Sequence, residues 1–395
     1  MPVTFEKSFT QQEPISESAI AKAVEVMRTG KLHRYNTAPG EDSEAALLEK
    51  EFASSLNAKF CLACASGGYA IHIALKACGA KPGDTIITNA FTLAPVPGAI
   101  DNAGCKAALV EIDNNYCVDL SHLESVMADT GSKFFLISHM RGHLADMDAV
   151  VQLCQKHDVC LIEDCAHTMG AFWNGKPSGS FGNAACFSTQ TYKHINSGEG
   201  GLLTTSNEEV MAKAIIHSGS YMLYDRHGTV PDLSVFEELK LNTPNYSGRM
   251  DNMRAAILRE QLKSLEKNCR RWNKLYLTAE TALGKSNAIT LSQRPEQESY
   301  VGSSIQFRVD ELQDVDNFID RCAARGVELK WFGNKDPHGF TSRYDSWKYL
   351  GDAPELPNTL KILNRTFDMR LPLTFDESDM QTITGIIIEE VARAN

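Results

Sequence analysis

Short apolar runs alternate with helical patterns through the first half of the chain. From about residue 57, runs of strand type are separated by stretches with the three-to-four-residue apolar spacing of amphipathic helices. The runs read KFCLACAS, DTIITNA, KAALVEID, KFFLISHM and VCLIEDCA. Because parallel strands need a crossover of helical length, this alternation predicts βαβ units and a mainly parallel sheet.

Two later apolar runs, AACFSTQ and GGLLTTS, follow each other too closely for a helix to fit between them. Two strands joined by a short connection pair in opposite directions. The sequence therefore predicts at least one antiparallel strand here, and the sheet as a whole is expected to be mixed.

A second set of elements follows a long helical pattern from Asp251 to Lys267. SSIQFRV is of strand type, VDNFIDRCAARG predicts a helix that ends at Gly326, and VELKWF predicts another strand. We expect an α/β protein with two domains. Residues 1–265 would form a large domain with a mainly parallel mixed sheet flanked by helices, including the N-terminal segment, and residues 266–395 a smaller C-terminal α+β domain.

Composition narrows the class of partner. The 395 residues are 43% hydrophobic and 23% charged, which is typical of a soluble globular protein. The formal charge of -11 repels polyanions and disfavours nucleic acid as a partner. No apolar run approaches the roughly 20 residues of a spanning helix, and the first residues lack a signal peptide's pattern, so we expect no membrane partner and a cytoplasmic location.

The chain has 11 cysteines, and most lie in apolar stretches. Cys61 and Cys64 form a C-x-x-C pattern that suits redox or zinc chemistry, but no second pair follows at zinc-ribbon spacing. Buried positions on a strand are the alternative that fits KFCLACAS better. We expect no metal site.

Three features carry candidate chemistry, each with an ordinary structural alternative. Ser66-Gly67-Gly68 stands where a strand passes into a helix, so its amides could bind a phosphate or simply make a turn. Asp164 ends a very apolar strand, which suits a cationic partner, a helix cap or a carboxylate that reaches solvent. Lys193 lies in a polar loop, where a lysine is usually solvated, ahead of a glycine-rich segment.

These features together resemble a known family. The segment EDCAHTMGAFWNGKPSGSFG, then Lys193 and GEGG, is similar to the signature of the DegT/StrS sugar aminotransferases, which are fold-type-I pyridoxal-phosphate enzymes. Further counterparts are ASGGYAIHIALKACGAKPGDTIITNAFT, HMRGHLADMDAV, RMDNMRAAILREQL and LPLTF, so the resemblance covers nearly the whole chain.

The resemblance implies pyridoxal 5'-phosphate as the cofactor and a role for each matching residue. Lys193 would be the catalytic residue, forming the Schiff base and then moving a proton between the substrate carbon and the cofactor. The family's dehydratase branch has a histidine at this position instead. Asp164 would pair with the pyridinium nitrogen and His167 with the phenolic oxygen, while Ser188 and the amides of Gly67 and Gly68 would hold the phosphate.

The pocket departs from the family pattern at several positions. The usual S-G-T-A-A reads Ser66-Gly67-Gly68-Tyr69-Ala70, so a threonine hydroxyl is missing and a tyrosine follows, which we expect to reach the phosphate or the substrate. Leu93 stands where an aromatic commonly stacks on the cofactor ring.

The family's N-Y-R-M reads Asn245-Tyr246-Ser247-Gly248-Arg249-Met250, which puts Ser247 where an asparagine reaches the partner subunit's phosphate. Asn245 and Arg249 are other candidates for that contact or for substrate, although the Gly248-Arg249 turn fits the mere start of a helix equally well. The resemblance implies a homodimer with shared active sites, and Arg34 and Tyr35 lie where relatives carry a segment that lines the neighbouring site.

The leading interpretation is an aminotransferase that moves an amino group from glutamate to a keto sugar. The acceptor would be a nucleotide-linked keto-deoxy hexose or a free keto sugar acid such as an octulosonate, which RYN and HMRG weakly favour. One alternative is an enzyme of the same fold that acts on a non-sugar keto substrate or catalyses elimination or cyclisation. Another is a regulatory protein that binds the cofactor without turnover.

Overall fold

The largest of three sheets among the described residues has seven strands, in a computed structural model that describes residues 2–339 and 341–394. The strands of the described residues, in chain order, are β1 (Phe60–Cys64), β2 (Thr85–Asn89), β3 (Lys106–Val110), β4 (Phe134–Ser138), β5 (Cys160–Asp164), β6 (Phe172–Trp173), β7 (Lys176–Pro177), β8 (Ala184–Ser188), β9 (Gly201–Thr205), β10 (Thr290–Leu291), β11 (Glu298–Ser299), β12 (Ser304–Arg308), β13 (Lys330–Trp331) and β14 (Thr366–Arg370).

The order in the large sheet is β1-β9-β8-β5-β4-β2-β3. Neighbours from β3 to β8 are parallel, whereas β9 is antiparallel to both β8 and β1. The predicted mixed sheet is confirmed, with β9 as its antiparallel strand. Strands β1, β4, β5 and β8 consequently run in one direction and end at one edge of the sheet.

Helices cover both faces of this sheet. The α-helices of the described residues are α1 (Glu17–Thr29), α2 (Glu44–Ser55), α3 (Gly67–Ala77), α4 (Pro95–Asn102), α5 (Leu120–Thr130), α6 (Met147–His157), α7 (Glu208–Ser218), α8 (Ser234–Leu239), α9 (Asn252–Leu262), α10 (Leu265–Leu283), α11 (Val315–Ala324), α12 (Pro357–Leu363) and α13 (Glu377–Ala394). Apolar side chains of α3, α4 and α7 fill one core, and those of α5 and α6 fill another. Many helices begin at a Ser, Asp or Asn whose side chain accepts a first-turn amide and so stabilises the helix start.

A separate core lies on a four-stranded antiparallel sheet of order β10-β12-β14-β13. Side chains of α10, α11 and α13 pack on it. Phe5 and Phe9 join the same core, and the Phe5 amide donates to the Arg325 carbonyl oxygen. The first residues of the chain thus pack with this smaller sheet, while the domain boundary at residue 265 stays a prediction.

The long helical pattern from Asp251 to Lys267 is two helices rather than one. Helix α9 ends at Leu262 and α10 begins at Leu265, because α9 packs on α1 and α2 whereas α10 must turn to pack on α13. VELKWF is likewise a shorter strand than predicted, since only Lys330 and Trp331 pair with β14.

The C-x-x-C cysteines are buried strand residues. Cys61 and Cys64 are free thiols on β1, and they point into two different cores. Burial raises the pKa of the Cys64 thiol to about 12, so the thiolate needed for redox or zinc chemistry is disfavoured. In the part of the chain that the structure describes, no helix is long and apolar enough to cross a membrane.

Candidate active site

The predicted cofactor residues meet at the edge of the sheet where β1, β4, β5 and β8 end. Asp164 is the last residue of β5 and Ser188 the last residue of β8. Gly67 and Gly68 open α3 directly after β1. Ligands of open α/β sheets bind beyond such strand ends, so the fold places these groups where a ligand is expected.

Lys193 and His167 are in direct contact. Lys193 Nζ lies 2.9 Å from His167 Nε2, and the amide of Arg141 donates to His167 Nδ1 at 3.4 Å. Since Nδ1 accepts, the imidazole proton belongs on Nε2, where it can be donated to an uncharged lysine amine. Burial, more than the nearby Lys193, holds the pKa of His167 well below its usual range, so the imidazole is neutral.

The amine of Lys193 is unusually easy to deprotonate. Burial is the largest cause, and the guanidinium of Arg141 adds to it, so that together they lower the pKa of Lys193 to about 7 although Asp164 opposes them. Near neutral pH a large fraction of this amine is therefore uncharged. An uncharged amine is the form that attacks a carbonyl and that can take up a proton.

Asp164 is held in place by a relay of hydroxyl groups. Its Oδ2 accepts from Ser138 Oγ at 2.8 Å, and Ser138 Oγ accepts in turn from Thr92 Oγ1 at 2.7 Å. Asp164 Oδ1 accepts from the Ala166 amide at 3.1 Å. The sequence reasoning missed Ser138, although its position at the end of β4, beside Asp164 in the sheet register, was a usable signal.

The start of α3 forms a tight cradle. Ser66 Oγ accepts from the Tyr69 amide, which leaves the amides of Gly67 and Gly68 at the open end of the helix. A Cβ on Gly67 would lie 2.8 Å from Ser188 Cβ, so only glycine permits this approach of the helix to β8. Backbone donors beside a serine hydroxyl fit a phosphate group.

Tyr69 and Leu93 differ in their relation to the site. The Tyr69 hydroxyl donates to the His217 carbonyl oxygen at 2.8 Å, and a Cβ on Gly248 would clash with its ring. The structure thus gives this hydroxyl a different partner from the phosphate or substrate that we expected. Leu93 lines the cavity beside Lys193 and packs against the cluster of Phe91 and Phe332.

The segment with Asn245, Ser247 and Arg249 lies next to the start of α3, because the Ala65 amide donates to the Gly248 carbonyl oxygen. Arg249 Nη1 donates to the Gly219 carbonyl oxygen and Nη2 donates to Ser247 Oγ, while Asn245 Oδ1 accepts from the Ser247 amide. These contacts stiffen an exposed tip, and the side chains do not line the cavity that contains Lys193.

The structure does not bring Arg34 and Tyr35 to the site. The Arg34 side chain is fully buried, with Nη1 and Nη2 donating to the two oxygens of Glu49, and the Tyr35 hydroxyl lies 2.7 Å from His227 Nε2. Burial alone would raise the pKa of the Glu49 carboxyl, but Arg34 and His227 hold it down to about 2. A buried, paired guanidinium cannot contact substrate, so the predicted substrate role is replaced by a structural one.

A cavity of about 310 Å³ contains Lys193 and His167 together with residues that sequence reasoning did not select. These residues include Arg141, Tyr192, His194, Trp272 and Arg370. The His194 ring lies edge-on to Trp272, and neither of its nitrogens has a hydrogen-bond partner among the described residues. Burial, with a smaller effect of Lys193, lowers the pKa of His194 to about 3, so it presents a neutral imidazole.

One group of possible metal ligands occurs among the described residues, formed by His139, Glu163 and Cys165. Glu163 already accepts hydrogen bonds from the amides of Gly179, Phe181 and Gly182. Its carboxylate therefore ties down a turn, which accounts for its burial without an ion.

The sequence is similar to those of known proteins over about half of the chain. The chain is 33% identical over 222 residues to a pleiotropic regulatory protein of Geobacillus stearothermophilus, and 33% identical over 221 residues to GDP-perosamine synthase of Caulobacter vibrioides. Each alignment covers 56% of this chain and 56% of the relative, so the chain spans about half the length of the curated relatives it matches.

A solved structure shares the whole fold. The aminotransferase from Psychrobacter cryohalolentis superposes with a TM-score of 0.84 at 21% identity, covering 98% of this chain and 100% of that one, which confirms the predicted fold class. A family model matches residues 14–387, which include each of the site residues described above. The chain belongs to the family that this model describes, the DegT/DnrJ/EryC1/StrS aminotransferase family.

Proposed function

We propose that this protein is a pyridoxal-phosphate aminotransferase that moves an amino group from glutamate to a keto sugar. The observation that carries the proposal is the partly buried Lys193, with its pKa lowered to about 7 and its Nζ 2.9 Å from a neutral His167, beside the strand-end carboxylate of Asp164. A structural or solvated lysine has no need of such surroundings.

Different residues of this chain would bind the cofactor and transfer the proton. The amides of Gly67 and Gly68 with Ser188 would hold the phosphate, and Asp164 would keep a proton on the ring nitrogen. When bound, pyridoxal phosphate supplies a carbonyl that takes up the amino group and a ring that withdraws electrons. Lys193 Nζ would carry a proton from the donor's carbon to the cofactor and return one to the acceptor's carbon.

The acceptor would lie in the cavity beside Lys193. The neutral His194 ring and the Trp272 ring, which both line the cavity, suit a polyhydroxylated molecule, because unpartnered imidazole nitrogens can bond hydroxyl groups while an aromatic ring covers a sugar's apolar face. Leu93, which lines the same cavity, would add an apolar surface. These features support a keto sugar, either nucleotide-linked or a free sugar acid.

We also propose a homodimer with shared active sites. Tyr221 and Met222 are 60% and 65% exposed although apolar, and the centre of the Tyr221 ring lies 4.9 Å from the Arg249 guanidinium. An exposed apolar turn with a cation suits burial against a second copy of the chain. Ser247, Asn245 and Arg249 would then reach the partner subunit's cofactor phosphate from this tip.

The absorbance spectrum of the protein with pyridoxal phosphate, before and after glutamate is added, tests the proposal. We expect a visible band that Lys193→Ala abolishes and that glutamate converts to the shorter-wavelength absorbance of the aminated cofactor. Lys267→Ala, which removes another lysine at the rim of the same cavity, should leave both spectra unchanged.

Other outcomes separate the alternatives. A Lys193-dependent band that ignores glutamate and other amine donors would favour elimination or cyclisation chemistry, or a regulatory protein that binds the cofactor without turnover. The absence of any Lys193-dependent band would overturn the assignment of the cofactor.

A further inference from the structure

Arg141 is a buried cation whose guanidinium lowers the pKa of Lys193 but has no binding partner assigned in the proposed cofactor chemistry. It lies in the turn Met140–Gly142 that follows β4, it is only 7% exposed, and it lines the cavity that contains Lys193. Its φ of 56° is in the left-handed region, where a residue other than glycine is strained. The fold therefore maintains a locally unfavourable conformation that directs this guanidinium to the cavity.

The hydrogen-bonding capacity of Arg141 is mostly unused. Its Nη2 lies 3.0 Å from Asp368 Oδ2, but neither Nε nor Nη2 forms a hydrogen bond among the described residues. These two nitrogens are the edge of a guanidinium that binds a carboxylate through two parallel hydrogen bonds. Buried donors are almost always satisfied, so this edge is one to which a ligand is expected to bind.

Asp368 orients Arg141 but is shared with other groups. Its Oδ1 accepts from Gln306 Nε2 at 2.7 Å, and its charge also acts on Lys330, whose pKa burial lowers to about 8. One carboxylate that serves both an arginine and a lysine leaves the surroundings of Arg141 positively charged.

Arg370 brings a second guanidinium to the same cavity. It ends β14 two residues after Asp368, so the two side chains lie on one face of the strand, and its guanidinium carbon is 3.5 Å from the centre of the Tyr192 ring. The charges of Arg141 and Arg370 both act on Lys193. These contacts lie on the side of the small sheet and the Lys193 loop, whereas the phosphate cradle is at the start of α3.

We propose that Arg141 and Arg370 form a carboxylate-binding subsite that positions an acidic substrate over Lys193. The inference rests on the proposed aminotransferase function and deepens it, because it makes the molecules that use this cavity carboxylic acids. The carboxylate belongs either to the amine donor or to the acceptor, and a guanidinium pair recognises both in the same way.

Binding of unreactive acids to the cofactor-loaded protein tests the subsite without any need for turnover. Calorimetry with glutarate imitates the amine donor, gluconate imitates a sugar acid, and glucitol is the neutral match of gluconate. We expect at least one acid to bind the unaltered protein, and Arg141→Gln and Arg370→Gln each to weaken that binding tenfold or more. Arg141→Lys should restore part of it, because the charge remains while the paired donors are lost.

A matched control separates ligand binding from loss of a buried ion pair. Arg325 is 5% exposed and pairs with Glu390 in the small domain, so Arg325→Gln removes a similar interaction far from Lys193 and should not change acid binding. Circular dichroism identifies any variant that fails to fold. Because Asp368 loses its partner in Arg141→Gln, Arg370→Gln serves as the second and independent test.

Each outcome either assigns the subsite to one ligand or refutes a proposal. An effect on glutarate alone assigns the subsite to the amine donor, and an effect on gluconate assigns it to an acidic acceptor. If neither acid binds better than glucitol, or if both arginine variants bind the acids as the unaltered protein does, the subsite does not exist. Arginine-dependent binding together with a cofactor that glutamate cannot convert would refute the aminotransferase proposal and leave the subsite standing.

Discussion

Ser138 is the residue through which the fold fixes the direction of the Asp164 carboxylate. Ser138→Ala removes the hydrogen bond to Asp164 Oδ2, and a hydrogen bond to a charged group contributes about 1.5–3 kcal/mol. We expect affinity for pyridoxal phosphate to fall about tenfold, together with the rate of half-transamination. Fluorescence titration with the cofactor measures the first effect.

Ser132→Ala is the control for this prediction. Ser132 is also buried, just before the other end of β4, and its Oγ donates to the Thr85 carbonyl oxygen. Equal losses of cofactor affinity in the two variants would show that Ser138 acts only through the stability of the strand.

The lowered pKa of Lys193 also predicts how the stability of the cofactor-free protein depends on pH. Between pH 7 and about 10.5 the unfolded lysine binds a proton that the folded one does not, so the free energy of unfolding rises with pH in this window. The cost of burying the charged amine is therefore present in full below pH 7 and disappears above about pH 10.5. Lys193→Met should flatten this rise and stabilise the cofactor-free protein at pH 7, by on the order of 1 kcal/mol after allowance for partial solvent screening.

Urea denaturation at several pH values measures this effect as a difference between the two proteins, because Lys330 titrates in part of the same window. Lys106→Met removes an exposed lysine and should leave the slope unchanged. A Lys193→Met variant that is no more stable than the unaltered protein at pH 7 would contradict the lowered pKa.

Motif spacing selected the residues that lie near one another in sequence, and missed those that only the fold brings together. Asp164, His167 and Lys193 fall within one segment whose pattern is specific. Arg141 follows a strand of the large sheet and Arg370 ends a strand of the small sheet, and nothing in their local sequence shows that they share a cavity. Arg34 was misassigned for the same reason, since its burial depends on Glu49 and on the distant His227.

At the scale of elements, the apolar runs predict the strands of the large sheet, whereas the local pattern does not predict where a helix is interrupted. Periodicity continues across Ser264, so it cannot show that α9 and α10 pack on different cores. Strand β13 is shorter than its apolar run because only two of its residues find partners on β14. Both differences arise from tertiary packing, which a local pattern does not contain.

The junction of α3 with β8 gives a prediction at this scale. In Gly67→Ala the new Cβ would lie 2.8 Å from Ser188 Cβ, so helix and strand must separate. We expect a loss of about 1–3 kcal/mol in the free energy of unfolding and a cofactor affinity at least tenfold weaker, because the amides at the helix end would move away from Ser188.

Gly385→Ala is the matched change, since Gly385 lies within α13 and a Cβ there meets no atom within 4 Å. Alanine should stabilise that helix by about 0.5–1 kcal/mol without any effect on the cofactor. Thermal unfolding measures both variants. If Gly67→Ala left the cofactor affinity unchanged, the phosphate would not be bound at this junction.

At the scale of the whole molecule, the exposed turn of Tyr221 and Met222 should form part of the dimer interface. Both residues have positive φ, 52° and 63°, so the chain holds two large apolar side chains outward in a strained conformation. Exposed to water, these side chains contribute no hydrophobic stabilisation, whereas contact with a second copy of the chain would bury both of them. The family membership of the chain agrees with a shared site but does not itself supply the contact.

Tyr221→Asp and Met222→Asp place a charge in that interface, and each should shift the protein from dimer towards monomer in sedimentation velocity, with dissociation at least tenfold easier. Cofactor affinity should fall in parallel, because Ser247 and Arg249 would no longer reach a partner's phosphate. Leu277→Asp introduces the same charge at another exposed apolar residue, 51% exposed on α10, and should change neither property. If the monomeric variants bound the cofactor as tightly as the dimer does, each chain would hold a complete site. If the unaltered protein were itself monomeric, the proposal of a shared site would be refuted.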